Sequence, residues 1–320
     1  MDVLIVSPPA PVQNGNLATA EEWAAELTNL GHRVEIASTF QDQDASLLIA
    51  IHAHKSHPSV KLFHEVRPRG RIVVALAGTD LYPALSSLSL RSLELSHRIV
   101  VLQAKALTRV PASCRSKTHV INLSATAPPS SGQGETTNPN GFQACVVGHL
   151  REVKDPLRTA AASRLLPSQS RVTVRHAGSI LDEKFRSAVA AEERENPRYQ
   201  WLGALSAEEA LRLIAASDLL VLSSIAEGGA RVLTEAVVSG TPILAARNDA
   251  TISLLGDHYP GLFDPGETAA LAGLLQRCES EPEFLADLTR RVVQHAAECA
   301  ESREQEAWKS LLDELYPEGP

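Results

Sequence analysis

Apolar residues along this chain come mostly in short unbroken runs separated by longer stretches in which they recur every three or four positions. In the first half the runs are "DVLIVS", "RVEIAS", "SLLIAI", "RIVVALAG", "RIVVLQ" and "THVINL". Continuous apolar runs of this length predict strands of a parallel sheet covered on both faces. Helical patterns lie between them, such as "LATAEEWAAELTNL", closed by Gly31 at a predicted C-terminal cap. Strand–helix alternation of this kind implies right-handed crossovers and a doubly wound α/β layer.

The alternation stops in "SATAPPSSGQGETTNPNG", Ser124 to Gly141, where Pro, Ser, Gly, Thr and Asn replace both periodicities. This reads as a linker. The pattern then restarts with "FQACVVGHL" and continues through "RVTVRHAGS", "YQWLGAL", "DLLVLSS" and "TPILAAR". Two domains are expected, over residues 1–135 and 142–300, with a helical tail at 301–320. The helix-rich stretch from Pro282 to Leu315 is amphipathic and could return across the first domain. Two such open sheets in tandem predict a cleft at their carboxyl ends, where ligands of doubly wound sheets bind.

Composition narrows the class. The chain has 320 residues, 44% of them hydrophobic, with no run long enough to span a membrane. "MDVLIVSPPAP" lacks a basic segment before its apolar residues and is interrupted by Pro8 and Pro9, so it reads as a first strand and not a signal peptide. The expected compartment is the cytoplasm, and no membrane partner is expected. Cys114, Cys145, Cys278 and Cys299 form no CxxC or His/Cys cluster, which argues against a disulfide framework or a zinc site. A net charge of -8 argues against a general nucleic-acid binder.

Candidate chemistry concentrates in "DLLVLSSIAEGGARVLTEAVVSGTP". It reads as strand, turn and helix, with the helix starting near Gly229, ending at Gly240 and barred from continuing by Pro242. Gly228 and Gly229 would then bring bare backbone amides to a helix N-terminus, which favours an anion. Glu227 and Glu235 stand eight residues apart, and a carboxylate can accept two hydroxyl hydrogen bonds from a sugar or ribose diol. Taken singly, the plainer expectation is that Glu227 complements the helix dipole and Glu235 is a solvated surface residue. In "VVGHLREVKDP", Arg151 and Lys154 follow a strand and could stabilise a diphosphate leaving group, the alternative being a solvated basic loop. "NGN" (Asn14, Gly15, Asn16), "IHAHKS" (His52, His54, Lys55) and "AGTDLY" (Thr79, Asp80) also fall just after apolar strand runs. There they could hold an anionic acceptor; the alternatives are that Asp80 caps the next helix and the histidines satisfy backbone carbonyls. No G-x-G-x-x-G follows the opening strand, which weakens a dehydrogenase reading. No acidic metal motif of the DxD kind occupies a suitable strand end, so a metal-independent reaction without cofactor is expected.

The combination resembles the E-x7-E element of the retaining GT-B glycosyltransferases of family four, and the likeness extends through "SGTPILAARNDA". The resemblance implies that Glu235 holds the nucleotide ribose, that Glu227 contacts the donor sugar, and that Gly228 and Gly229 hold the diphosphate. It places Lys154 at the lysine of the family's G-R-L-x-x-x-K, with His149 where the arginine is expected and Arg151 two residues later. "YQWLGAL" is similar to the base-binding region, which implies that the backbone at Leu202 and Gly203 reads the base edge.

Taken together with "AIHAHKS", "AGTDLY" and "LLGDHYPG", these segments resemble one branch of that superfamily nearly end to end, the selenosugar synthases of selenoneine biosynthesis. Leu17 and Ala18 depart from the Trp-Gln expected after "NGN" in that branch. The resemblance implies a UDP-sugar donor, UDP-N-acetylglucosamine above others, and selenophosphate as nucleophile, with pathway enzymes of selenoneine synthesis as partners. Selenium is strongly nucleophilic, so His52, His54 and Lys55 are assigned to binding and not to base catalysis. Three other readings stay open: a conventional glycosyltransferase with a hydroxyl or thiol acceptor, a nucleotide-sugar epimerase or hydrolase, and a sugar-nucleotide sensor without turnover.

Overall fold

A computed structural model describes residues 1–9, 15–127 and 141–317. Its backbone divides into two compact units. The first comprises Met1–Ser124, Glu227–Gly229 and Glu301–Pro320; the second comprises Ala125–Ala226 and Ala230–Ala300.

In the first unit six parallel strands, β1 (Asp2–Val6), β2 (Arg33–Ala37), β3 (Leu47–Ile51), β4 (Arg71–Leu76), β5 (Arg98–Val101) and β6 (Thr118–Val120), are ordered β2-β1-β3-β4-β5-β6. These are the six runs read from the sequence. Successive side chains of a strand point to opposite faces, and in the central strands β1, β3 and β4 both faces are dry. Leu4 and Val6 join one core cluster with Leu48, Ala50, Ile72 and Val74. Val3 and Ile5 join another with Leu47, Ile49, Val73 and Ala75. The helices of this unit are α1 (Gly15–Asn29), α2 (His57–Val66), α3 (Ser87–Leu95) and α4 (Ala112–Arg115). Helix α1 stops because Gly31 takes up φ +88 and the His32 amide turns back to the Leu27 carbonyl.

The second unit carries β7 (Phe142–Val147), β8 (Val172–Ala177), β9 (Tyr199–Gly203), β10 (Leu219–Leu222), β11 (Ile243–Ala246) and β12 (Leu262–Phe263), all parallel, in the order β12-β11-β10-β7-β8-β9. Its helices are α5 (Arg158–Ser163), α6 (Lys184–Glu195), α7 (Ala207–Ala215), α8 (Arg231–Ser239), α9 (Asp249–Leu255), α10 (Thr268–Ser280) and α11 (Pro282–Val293). The chain leaves β7 for β8 on one side and later returns with β10 on the other. The strand order therefore reverses between β7 and β10, the kind of position at which ligands of doubly wound sheets bind.

The last helix, α12 (Glu301–Leu315), belongs to the first unit. Trp308, Leu311, Leu312 and Leu315 join Trp23 and Leu27 in one cluster. The indoles of Trp23 and Trp308 meet edge to face with centroids 4.8 Å apart, an arrangement worth about 0.5–1.5 kcal/mol beyond the burial itself. No helix of the described residues is long and apolar enough to cross a membrane. The four cysteines are free and buried, and burial pushes the thiols of Cys145, Cys278 and Cys299 up to about 12.

Candidate active site

In the second unit the polar residues gather at the β7/β10 reversal. The chain leaves β7 through Gly148, His149 and Leu150, then makes a single 3-10 turn over Glu152–Lys154. Asp155 follows in the left-handed region at φ 43, a conformation that costs a non-glycine residue of order 1 kcal/mol. Two tethers hold it there. Arg158 grips the Asp155 carboxylate through Nε and Nη2 at 2.7 and 3.3 Å and donates from Nη1 to Thr268 Oγ1 at 2.6 Å. From the end of β10, the Ser223 hydroxyl donates to the Lys154 and Asp155 carbonyls at 3.1 and 2.9 Å. The Ile225 amide completes the connection by donating to the Val153 carbonyl at 2.9 Å.

A second network fixes the start of the same loop. His176 is buried, which drives its pKa down to about 4. The neutral ring donates from Nε2 to the Gly148 carbonyl at 3.0 Å and accepts the Tyr199 hydroxyl at Nδ1, also at 3.0 Å. The Gly148 amide donates to the Ala177 carbonyl at 2.9 Å. A Cβ on Gly178 would collide with the Gly148 carbonyl, so glycine is required for this approach. The Ser179 amide donates to His149 Nδ1 at 3.2 Å. His149 therefore has its hydrogen on Nε2 when neutral. Gly178 also joins β9 to this region, for its amide donates to the Gly203 carbonyl at 2.7 Å and its own carbonyl accepts Trp201 Nε1 at 2.9 Å.

The structure thus places His149, Arg151 and Lys154 on one stapled loop and ties Gly203 to its base. Leu202 and Trp201 are half-buried on β9. Glu235 lies on α8, whose first helical residue is Arg231 and not Gly229, so it sits one turn into the helix. It is half-buried, not solvated. Burial raises its carboxyl pKa, and the Arg231 guanidinium works in the opposite direction.

Glu227, Gly228 and Gly229 pack within the first unit. A Cβ on Gly228 would lie 2.5 Å from the Ala77 carbonyl carbon and oxygen, and one on Gly229 would lie 2.5 Å from Leu102 Cβ. Both positions are sterically closed to a side chain. Glu227 is buried.

Next to Ala77 and Gly78, the structure brings His52, Thr79 and Asp80 together. Asp80 is buried; its Oδ1 accepts the Ala77 and Gly78 amides at 3.0 and 2.9 Å, and its Oδ2 accepts the Ala53 amide at 2.7 Å. The carboxylate organises the two loops that end β3 and β4. His52, at φ +72, accepts the Lys55 amide at Nδ1 and donates from Nε2 to Thr79 Oγ1 at 3.1 Å. Burial lowers its pKa, with the Asp80 carboxylate opposing. His54 is exposed and paired through Nδ1 with Ser86 Oγ at 2.7 Å, and Lys55 is exposed. Gly15 and Asn16 open α1. Asn14 lies outside the described residues.

Sequence reasoning missed Ser223, Ser224, His176 and Asn248. Asn248 caps α9, accepting the Ala250 and Thr251 amides, and donates from Nδ2 to the Ser224 carbonyl at 2.9 Å. The available signal was the pair of serines closing the apolar run "DLLVLSS", since buried hydroxyls at a strand end need acceptors.

Over the whole chain, the fold matches Anabaena Alr3699/HepE in complex with UDP and glucose, with a TM-score of 0.76 at 18% identity, covering 98% of this chain and 100% of that one. It also matches sucrose-phosphate synthase from Thermosynechococcus elongatus, with a TM-score of 0.78 at 13% identity and 99% and 100% coverage. In sequence, 87 residues are 38% identical to D-inositol 3-phosphate glycosyltransferase 2 of Catenulispora acidiphila, covering 26% of this chain and only 19% of that relative. Residues 132–295, just over half of the chain and nearly all of the second unit, match the glycosyl transferases group 1 family. The chain belongs to the glycosyl transferases group 1 family.

Proposed function

We propose that this glycosyltransferase takes a UDP-sugar, UDP-N-acetylglucosamine in the first instance, as donor and selenophosphate as acceptor, forming a carbon–selenium bond. The observation that carries the donor half is the stapled loop at the β7/β10 reversal, which presents Lys154 and Arg151 where doubly wound sheets bind ligands. Solved structures of the same fold hold UDP with glucose and UDP-glucose. The acceptor half rests on the resemblance, nearly end to end, to selenosugar synthases.

In this reading the selenium of selenophosphate attacks C1 of the donor sugar as the bond from C1 to the UDP oxygen breaks. The new C–Se bond leaves a phosphorylated selenosugar; water then cleaves its Se–P bond to give phosphate and the 1-selenosugar. UDP departs with one more negative charge than it had as an ester, and Lys154 and Arg151 supply positive charge to meet it. This is work a metal ion performs in other transferases, so no metal is invoked. Glu235 would accept the ribose hydroxyls, and Glu227 would contact the donor sugar. His149 would give one neutral N–H to the diphosphate. Gly228 and Gly229 would offer amides to it, and Leu202 with Gly203 would face the base. On the acceptor side, His52, His54, Lys55, Thr79, Asp80, Gly15, Asn16 and Asn14 would surround the anion.

The test is incubation with UDP-N-acetylglucosamine and fresh selenophosphate, followed by a mass search for a selenium-bearing sugar. UDP release without that product favours a hydroxyl or thiol acceptor, or hydrolysis, and removes the selenium reading.

A further inference from the structure

The loop that carries Lys154 is held from the end of β10 as well as by its own turn. The Lys154 and Asp155 amides close the 3-10 turn onto the Arg151 and Glu152 carbonyls, and the Asp155 carbonyl accepts the Arg158 amide at 3.2 Å, while carbonyls at the end of a turn are open to further donors. The Lys154 and Asp155 carbonyls both face Ser223 Oγ, at 3.1 and 2.9 Å. Ser223 is 2% exposed and follows directly on the apolar strand β10. At this depth an alanine would satisfy packing alone, so the hydroxyl is explained by what it donates to. It has one proton to share between two acceptors, which fixes the orientation of the peptide joining Lys154 to Asp155. The Ser224 carbonyl is in turn held by Asn248 Nδ2, so the donor side of the staple is itself braced from α9. The left-handed Asp155 beyond it is clamped by Arg158.

We propose that Ser223 is a positioning residue for Lys154: its hydroxyl, shared between the Lys154 and Asp155 carbonyls, sets the direction from which the lysine enters the diphosphate site. The inference rests on the donor-site reading above and assigns to Ser223 no contact with ligand. It makes the strand-end serine the mechanical link between the loop after β7 and the segment after β10.

The experiment is calorimetric titration of UDP into the wild-type protein, Ser223→Ala, Ser223→Thr, Lys154→Met and the double variant Ser223→Ala/Lys154→Met, with thermal unfolding of each recorded alongside. Ser223→Ala is expected to weaken UDP by about fivefold to tenfold, the loss of a shared hydrogen bond acting through a charged group. Ser223→Thr, which keeps the hydroxyl, restores most of that loss. In the Lys154→Met background the serine substitution costs little more, because residues that act as one unit are not additive. Should the alanine variant unfold, Ser223→Cys, which keeps the shape with a weaker donor, gives the same comparison. Wild-type protein that fails to bind UDP removes the donor-site reading and this proposal with it. Wild-type protein that binds UDP, while Ser223→Ala binds it equally well or loses the same factor with and without Lys154, removes this proposal alone.

Discussion

The indole of Trp23 donates its Nε1 hydrogen to Glu304 Oε1 at 2.6 Å, joining α1 to α12 across 281 positions of sequence. The other carboxylate oxygen, Oε2, accepts the Ser124 amide, also at 2.6 Å. Both oxygens of this buried carboxylate on the returning helix are thereby spent on α1 and on the last residue of the first unit's N-terminal segment.

Glu26 shares this pocket, and burial, with Glu304 and Glu301 beside it, raises its pKa to about 8 while a hydrogen bond with Ser124 opposes. An acid with a raised pKa in the folded state binds more protons folded than unfolded between the two values. Its contribution is therefore fully present below the unfolded value of about 4.3 and is lost as pH rises through about 8. The buried His176 has the opposite slope, since its folded pKa of about 4 makes stability fall as pH drops from about 6.5 toward that value. Glu26→Gln isolates the first effect: the variant should melt a few degrees above wild type at pH 9, with the difference gone by pH 4. Equal melting temperatures at pH 9 would show that Glu26 is ionised there at no cost.

Lys154→Ala should lower kcat by about 100-fold or more, the scale for removing one group that stabilises developing charge, with KM for the UDP-sugar moving far less. Steady-state rates of UDP release decide it. A change confined to KM would make Lys154 a ground-state binder.

Glu235→Ala should act mainly on KM, raising it about tenfold through the lost hydrogen bonds to a diol. Because burial raises the Glu235 pKa, the wild-type donor affinity should also weaken as pH falls, when a protonated carboxyl can no longer accept from both hydroxyls. UDP affinity measured from pH 8 down to pH 5 checks this; a flat profile would set Glu235 outside the ribose site.

Gly178→Ala places a methyl against the Gly148 carbonyl and the His149 Cα. Overpacking of this kind costs about 1–3 kcal/mol, and the displaced backbone includes the loop that bears His149. Denaturant unfolding and UDP titration should both register the change. Unaltered UDP binding at reduced stability would separate the loop's base from the ligand.

Most of the sheet architecture was readable because central strands such as β1, β3, β4 and β10 are apolar and buried on both faces, and a parallel strand buried on both sides writes itself as an unbroken run. β12 escaped notice since Leu262–Phe263 is too short to show any period. Helix α8 begins two residues later than the glycines suggested, for Gly228 and Gly229 are packed in extended contact with Ala77 and Leu102 and not wound into the helix. The cations of the β7 loop could be picked out from type and place alone. Their supports could not: Ser223 and Lys154 are 69 positions apart, and which hydroxyl reaches which carbonyl depends on β10 lying beside β7. The Asp80 amide cradle is hidden for the same reason, since Ala53 comes from another loop.

The chain order of α12 has a cost during synthesis. Trp308, Leu311 and Leu315 cover Trp23 and Leu27, yet they leave the ribosome only after the whole second unit. At roughly 5–20 residues per second, the nascent first unit would hold that bare apolar face for about ten to forty seconds after β6 is made. A message cut short before Glu301 would leave it bare permanently, a standing invitation to chaperones and to aggregation.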